Sequence, residues 1–97
     1  MSKGAMTKQE KLKQIYDKLF DTYCKKNHDY GDSFAKVRNK YGDKFPVILI
    51  RLSDKFERLE ALLLNGNQQV KDESIKDTLL DIANYCAMEV LEIESKE

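Results

Sequence analysis

Five carboxylates carry the strongest chemical signal in this 97-residue sequence: Asp54 and Glu57 in one segment, and Glu73, Asp77 and Asp81 in another. An acid on a solvated face means little, whereas one set into a packing seam is costly unless it is paired. Val47, Ile50, Asp54, Glu57, Ala61 and Leu64 recur at intervals of 3, 4, 3, 4 and 3, the repeat of one helix face. Asp77, Asp81, Asn84, Met88 and Leu91 recur at 4, 3, 4 and 3, so a second seam begins acidic and ends apolar. Glu73 precedes Asp77 by one turn, about 40° away around the axis. If the two helices run antiparallel, Asp54 and Glu57 face Glu73, Asp77 and Asp81 across one groove. Carboxylates so placed would repel and raise one another's pKa, and a hard divalent ion between them resolves the conflict. Mg²⁺ suits the chemistry, because it takes carboxylate, water and phosphate oxygens and needs neither His nor Cys.

The competing reading pairs these acids with Arg51, Lys55 and Arg58 on the same helix or leaves them on a solvated face. It does not neutralise Asp77 and Asp81, which have no Lys or Arg three or four residues on; none occurs between Lys76 and Lys96.

The elements that must position these acids are all helical. Thr7 and Glu10 have capping-box spacing, and Leu12, Ile15, Tyr16, Leu19, Phe20 and Tyr23 then mark a first helix. Asn27 to Asp32 is turn chemistry, with Gly31 free to take positive φ and Asp32 or Ser33 placed to cap a short helix through Tyr41, which Gly42 stops. Pro46 suits a first helical turn, and the run Val47 to Leu64 closes at Asn65-Gly66-Asn67. Asp72 caps a last helix reaching about Glu94, and the short connection makes the two long helices antiparallel neighbours. Ile48, Leu52, Phe56, Leu59 and Leu63 on one, and Ile75, Leu79, Ile82, Cys86 and Ile93 on the other, are the expected core stripes. The predicted fold is all-α, with three main helices and a short one. Residues 1–6 read as a flexible tail and 7–97 as a single domain.

Composition bounds the function. A chain of 11.3 kDa excludes a two-domain enzyme. Seventeen basic residues against seventeen acidic ones exclude general nucleic-acid binding. No apolar run approaches the roughly 18 residues of a membrane span, and no secretory leader is recognised, so a cytoplasmic location is expected. Cys24 and Cys86 lack the spacing of a zinc site or a disulfide framework and read as reduced core residues. Apolar residues on more than one face of helices this long predict a homo-oligomer, dimer or tetramer, that completes the bundle.

Three blocks carry a resemblance: Lys26-Asn27-His28-Asp29-Tyr30-Gly31-Asp32-Ser33-Phe34, Arg51 to Leu59, and Asp72 to Tyr85. Over roughly residues 10–92 the sequence resembles the nucleotide modification associated domain 1 family of phages and bacteria. That family looks like a relative of the all-α NTP pyrophosphatases, the MazG and dimeric dUTPase group, in which acids on two helices bind Mg²⁺ and the α–β phosphate bond is hydrolysed. The group's first motif, ExxE, is matched in spacing by Asp54 with Glu57 and by Glu57 with Glu60. Its second, ExxD, is replaced by Asp77 and Asp81, four apart, with Glu73 one turn back.

The resemblance implies that Asp54, Glu57, Asp77 and Asp81 hold Mg²⁺ against the phosphates while Glu73 activates water. It implies phosphate contacts from Lys26, Arg51, Lys55 and Arg58, a loop at Asp29-Tyr30-Gly31 closing over the nucleotide, base stacking by Tyr30, Phe34 or Tyr85, and a water- or base-orienting role for Asn84. It also implies an oligomer. Three functions follow in order: a Mg²⁺-dependent nucleotide pyrophosphohydrolase, a non-catalytic nucleotide-binding accessory subunit, and a helical protein-interaction module.

Overall fold

The structure, a computed structural model, describes residues 4–65 and 71–96, all of them in helices, turns or short connections. The order is α1 (Lys8–Tyr30), α2 (Ser33–Tyr41), α3 (Val47–Leu64) and α4 (Lys71–Ser95), the all-α pattern of three long helices and a short one. Of the expected tail, residues 1–3 lie outside the described residues, as do Gly66 and Asn67 of the signal that closes α3. The chain divides into two compact units, Met1–Gly31 and Asp32–Glu97.

The first unit is built around α1. Its capping box is complete: the Thr7 hydroxyl accepts from the Glu10 backbone N–H at 3.1 Å, and the Thr7 N–H donates to Glu10 Oε1 at 3.0 Å. Asn27 to Tyr30, expected as turn, are helical. Asn, His and Asp cost only a few tenths of a kcal/mol each in a helix that is already propagating, and the chain must leave only where glycine stands. Gly31 takes φ 62°, ψ 44° and donates its N–H to the Asn27 carbonyl at 2.9 Å. No residue of α1 is buried, and Phe20 is 68% exposed.

The second unit starts at Asp32, itself left-handed at φ 58°, a conformation Asp tolerates better than most residues. Its side chain makes no cap bond, so it stands at the helix start without capping α2. Gly42 ends α2 in right-handed geometry, with φ −64° and its N–H on the Arg38 carbonyl. The glycine is needed for a close approach instead, since a Cβ there would collide with the Arg38 carbonyl oxygen. Pro46 sits at the start of α3 as its N-cap, one residue earlier than a first-turn position. Asp72 lies inside the first turn of α4, where with Glu73 it complements the helix dipole.

Inside this unit α3 and α4 pack along their length. Lys55 pairs with Asp81, and Leu62 shares a groove with Ser74 and Thr78, so the chain positions run oppositely and the helices are antiparallel, as expected. Among the described residues few are buried: Phe34 and Ala35 on α2, Val47 on α3 and Thr78 on α4. Phe34 packs against Tyr85 with ring centroids 5.9 Å apart. Arg38 ties α2 to α4 through a bidentate pair with Glu89, Nε to Oε1 at 2.8 Å and Nη2 to Oε2 at 3.0 Å. That carboxylate raises the guanidinium's pKa still further above its ordinary value.

The expected core stripes are only partly covered, with Phe56, Leu63, Leu79 and Ile93 about half exposed. Both cysteines are free thiols, yet they are exposed and belong to no core. Among the described residues no helix is long and apolar enough to cross a membrane.

Candidate functional site

The face that α3 turns toward α4 is not the one on which Asp54 and Glu57 lie. Ile48, Leu52, Lys55, Leu59 and Leu62 are all part-buried and recur at 4, 3, 4 and 3, the true packing seam, and one of its five places is held by a lysine. Asp54 and Glu57 flank that seam and are exposed. On α4 the covered positions include Ser74, Thr78, Asp81, Tyr85 and Met88, so the second acidic stripe is only half solvated: Asp77 is exposed while Asp81 is turned inward.

This register brings Lys55 to Asp81. The Lys55 ammonium lies 3.1 Å from Asp81 Oδ2, with side-chain exposures of 15% and 28%. Next to the pair is a concavity of about 260 Å³ lined by Arg58, Leu62, Ser74, Asp77, Thr78 and Asp81. Thr78, 2% exposed, donates its hydroxyl to the Ser74 carbonyl at 2.8 Å, which satisfies the donor and fixes the rotamer. The groove therefore has two carboxylates, two hydroxyls and a guanidinium on its wall, with an ammonium at its edge. A wall of this kind can meet an anion such as phosphate at Arg58 and Lys55 and a hard cation at Asp77 and Asp81.

Of the acids expected to converge, Asp77 and Asp81 line the groove, whereas Asp54, Glu57 and Glu73 are exposed and are not among its lining residues. Among the described residues no three His, Cys, Asp or Glu side chains gather as a metal cage. Mg²⁺ does not require one, since it commonly takes one or two protein carboxylates and completes its shell with water and phosphate. The donors here, Asp77 and Asp81, are hard oxygens of the kind such an ion takes, and Lys55 stands in a cation's place at Asp81.

Arg51 and Asn84 are part-buried on the two long helices. Lys26, Asp29 and Tyr30 belong to the end of α1, in the first unit. There the His28 ring nitrogen lies 3.3 Å from Asp29 Oδ1, and Tyr30 is 66% exposed. Phe34 and Tyr85 are committed to each other in the core, which removes Phe34 from the candidate base platforms.

Ser74 and Thr78 were not singled out from the sequence. Their signal was available: they stand four apart, in phase with Asp81 and not with Asp77, and Lys55 interrupts the apolar repeat of Ile48, Leu52, Leu59 and Leu62.

No curated protein and no solved structure matches the chain significantly. A family match does exist. It begins at Lys26, so most of α1 lies outside it, and it takes in the Asp29-Tyr30-Gly31 segment and both walls of the groove. With residues 26–93 matched, well over half of its length, the chain belongs to the nucleotide modification associated domain 1 family.

Proposed function

We propose that the chain is a nucleotide-processing protein whose α3–α4 groove receives the phosphates of a nucleoside triphosphate. In the fuller form of this reading it hydrolyses the α–β bond with Mg²⁺, as the MazG-like pyrophosphatases it resembles do, yielding monophosphate and pyrophosphate within a nucleotide-modification pathway such as a phage would run. The supporting observation is that Asp77 and Asp81 share one groove with Arg58 and, through Asp81, with Lys55. The family's association with nucleotide modification points the same way.

In this reading Arg58 and Lys55 neutralise phosphate oxygens, with the guanidinium able to grip two at once. Asp77 and Asp81 would hold Mg²⁺, which when bound supplies Lewis-acid polarisation and a template. Glu73, one turn earlier on α4, would take the proton of the attacking water. Arg51 would add charge and Asn84 would orient water or base. Lys26 would add a phosphate contact, Asp29 would contact the nucleotide, and the exposed Tyr30 ring would stack on a base, as the family resemblance implies. Asp54 and Glu57, exposed and outside the groove, would join the metal set only if a second copy of the chain brought them there. The same assembly would cover the exposed Leu12, Ile15, Tyr16 and Phe20 of α1.

A second reading, a nucleotide-binding subunit without turnover, is favoured by one specific observation: only two carboxylates line the groove, and one of them is ion-paired. Calorimetric titration of a nucleotide panel with and without Mg²⁺, followed by chromatography for pyrophosphate, separates the two. Mg²⁺-dependent binding with pyrophosphate release is expected for the enzyme, and binding without product for the subunit. Absence of nucleotide binding would overturn both and leave a helical interaction module.

A further inference from the structure

We propose that Lys55 is a tethered counter-ion that makes cation binding and phosphate binding interdependent in the α3–α4 groove. The inference rests on the reading of that groove as a nucleotide site and adds a control to it.

Lys55 occupies a seam position where Ile48, Leu52, Leu59 and Leu62 are apolar, and it is only 15% exposed. An ammonium so placed costs desolvation free energy unless a carboxylate answers it, and Asp81 does so at 3.1 Å. The four charged groups at the groove, Lys55, Arg58, Asp77 and Asp81, sum to zero. A divalent cation arriving alone must reach Asp81 against the ammonium already beside it. A phosphate arriving alone meets Asp77 and Asp81, and Lys55 is engaged. With both present, one exchange would balance the charges: Lys55 would turn from Asp81 to a phosphate oxygen, and Asp81 and Asp77 would hold the divalent ion. The lysine's four-carbon stem and rotatable ammonium suit the move, which a planar guanidinium would make less readily. Thr78 stays bonded to the Ser74 carbonyl and keeps that wall of the groove in place during the exchange.

By linkage, each ligand then tightens the other by the same factor. The ion pair is thus an interlock that offsets the charge of Asp81 in the empty protein and favours loading with metal and nucleotide together.

The test uses Mg²⁺ alone. Calorimetry on the full chain compares wild type, Lys55→Met and Lys55→Arg, with circular dichroism melts run alongside. Removing the resident charge should tighten Mg²⁺ binding roughly tenfold or more in Lys55→Met, the scale of one unit charge at close range in a partly solvated site. Lys55→Arg should stay near wild type. Equal Mg²⁺ affinity in all three, or no Mg²⁺ binding in any, overturns the interlock.

A measurement on the unmodified sequence guards against a variant that fails to fold. Reductive methylation followed by mass spectrometry should show Lys55 reacting faster once Mg²⁺ is raised to saturation without nucleotide, since a bound ion must displace it from Asp81, and an unchanged rate overturns the proposal. Nucleotide titration of the wild type in parallel keeps the two failures apart. Nucleotide binding with no Lys55 effect leaves the site and removes the interlock, whereas no nucleotide binding removes the site itself.

Discussion

Asp81 and Asp54 look alike in sequence, each set in an otherwise largely apolar repeat, yet the fold gives them different surroundings. Asp81 is part-buried and paired with Lys55 on the groove, and Asp54 is exposed beside it. Asp81→Asn should therefore weaken Mg²⁺-dependent nucleotide binding at least tenfold with helicity unchanged, the cost of one or two charge-assisted contacts. Asp54→Asn should do so only if a second copy completes the site. Calorimetry on the two variants decides this, and unaltered binding in Asp81→Asn would refute the groove. The acids' presence was readable from the sequence, but their facing was not. One residue of helix is 100° of rotation, and Lys55 and Asp54 are adjacent, so a small difference in which apolar stripe packs exchanges an acid for a base. Ile48, Leu52 and Leu59 were correctly placed together, but Phe56 and Leu63, taken as their continuation, lie half exposed while Leu62 turns toward α4.

The helices themselves were largely legible, because their ends are set by local chemistry. Thr7 with Glu10 starts α1, and the bounds of α3 follow from Pro46 and Asn65. The Glu10 carboxylate is held below its ordinary value of 4.5, first by the Thr7 backbone N–H and then by the Thr7 hydroxyl. A carboxylate whose folded-state pKa is depressed stabilises the fold above its unfolded value, and that contribution fades as pH falls through the lowered one. Acidification below about pH 4.5 should thus loosen the first turn of α1 in the wild type more than in Glu10→Gln, read as protection of first-turn amides against hydrogen exchange. The same loss in both proteins would contradict the capping box.

At the end of α2, Gly42→Ala should destabilise the second unit by about 1–3 kcal/mol, the usual cost of forcing an atom into a filled space. Denaturant unfolding checks it, and a neutral result would mean the Arg38 carbonyl yields. What local chemistry did not reveal was the helical state of Asn27 to Tyr30, since turn-forming residues bend a chain only where the helix has reason to end.

For the whole molecule, the thin core is the governing fact. Phe34, Ala35 and Val47 are the buried apolar residues described, and α1 buries none, although Leu12, Ile15, Tyr16 and Phe20 form a continuous apolar stripe. Helices in proteins draw most of their stability from packing an apolar face, so we expect a second copy to cover this one. Sedimentation should give a dimer or tetramer, with a melting temperature that rises with protein concentration. Phe20→Asp should shift the species toward monomer and lower that temperature. A monomer at every concentration would remove the assembly and, with it, any role for Asp54 and Glu57 at the groove.

The two exposed thiols turn this architecture into its own reporter. Cys24 lies one turn beyond Phe20 on α1, and Cys86 lies on α4, so the sequence places one thiol in each compact unit. A maleimide added over a dilution series would read two surfaces at once. Burial of the α1 stripe between copies would slow Cys24 as concentration rises, while Cys86 serves as an internal clock. The same exposure makes the chain sensitive to its redox surroundings: under oxidising conditions two copies meeting along α1 could become covalently linked, so dimers should be counted only in the presence of reductant.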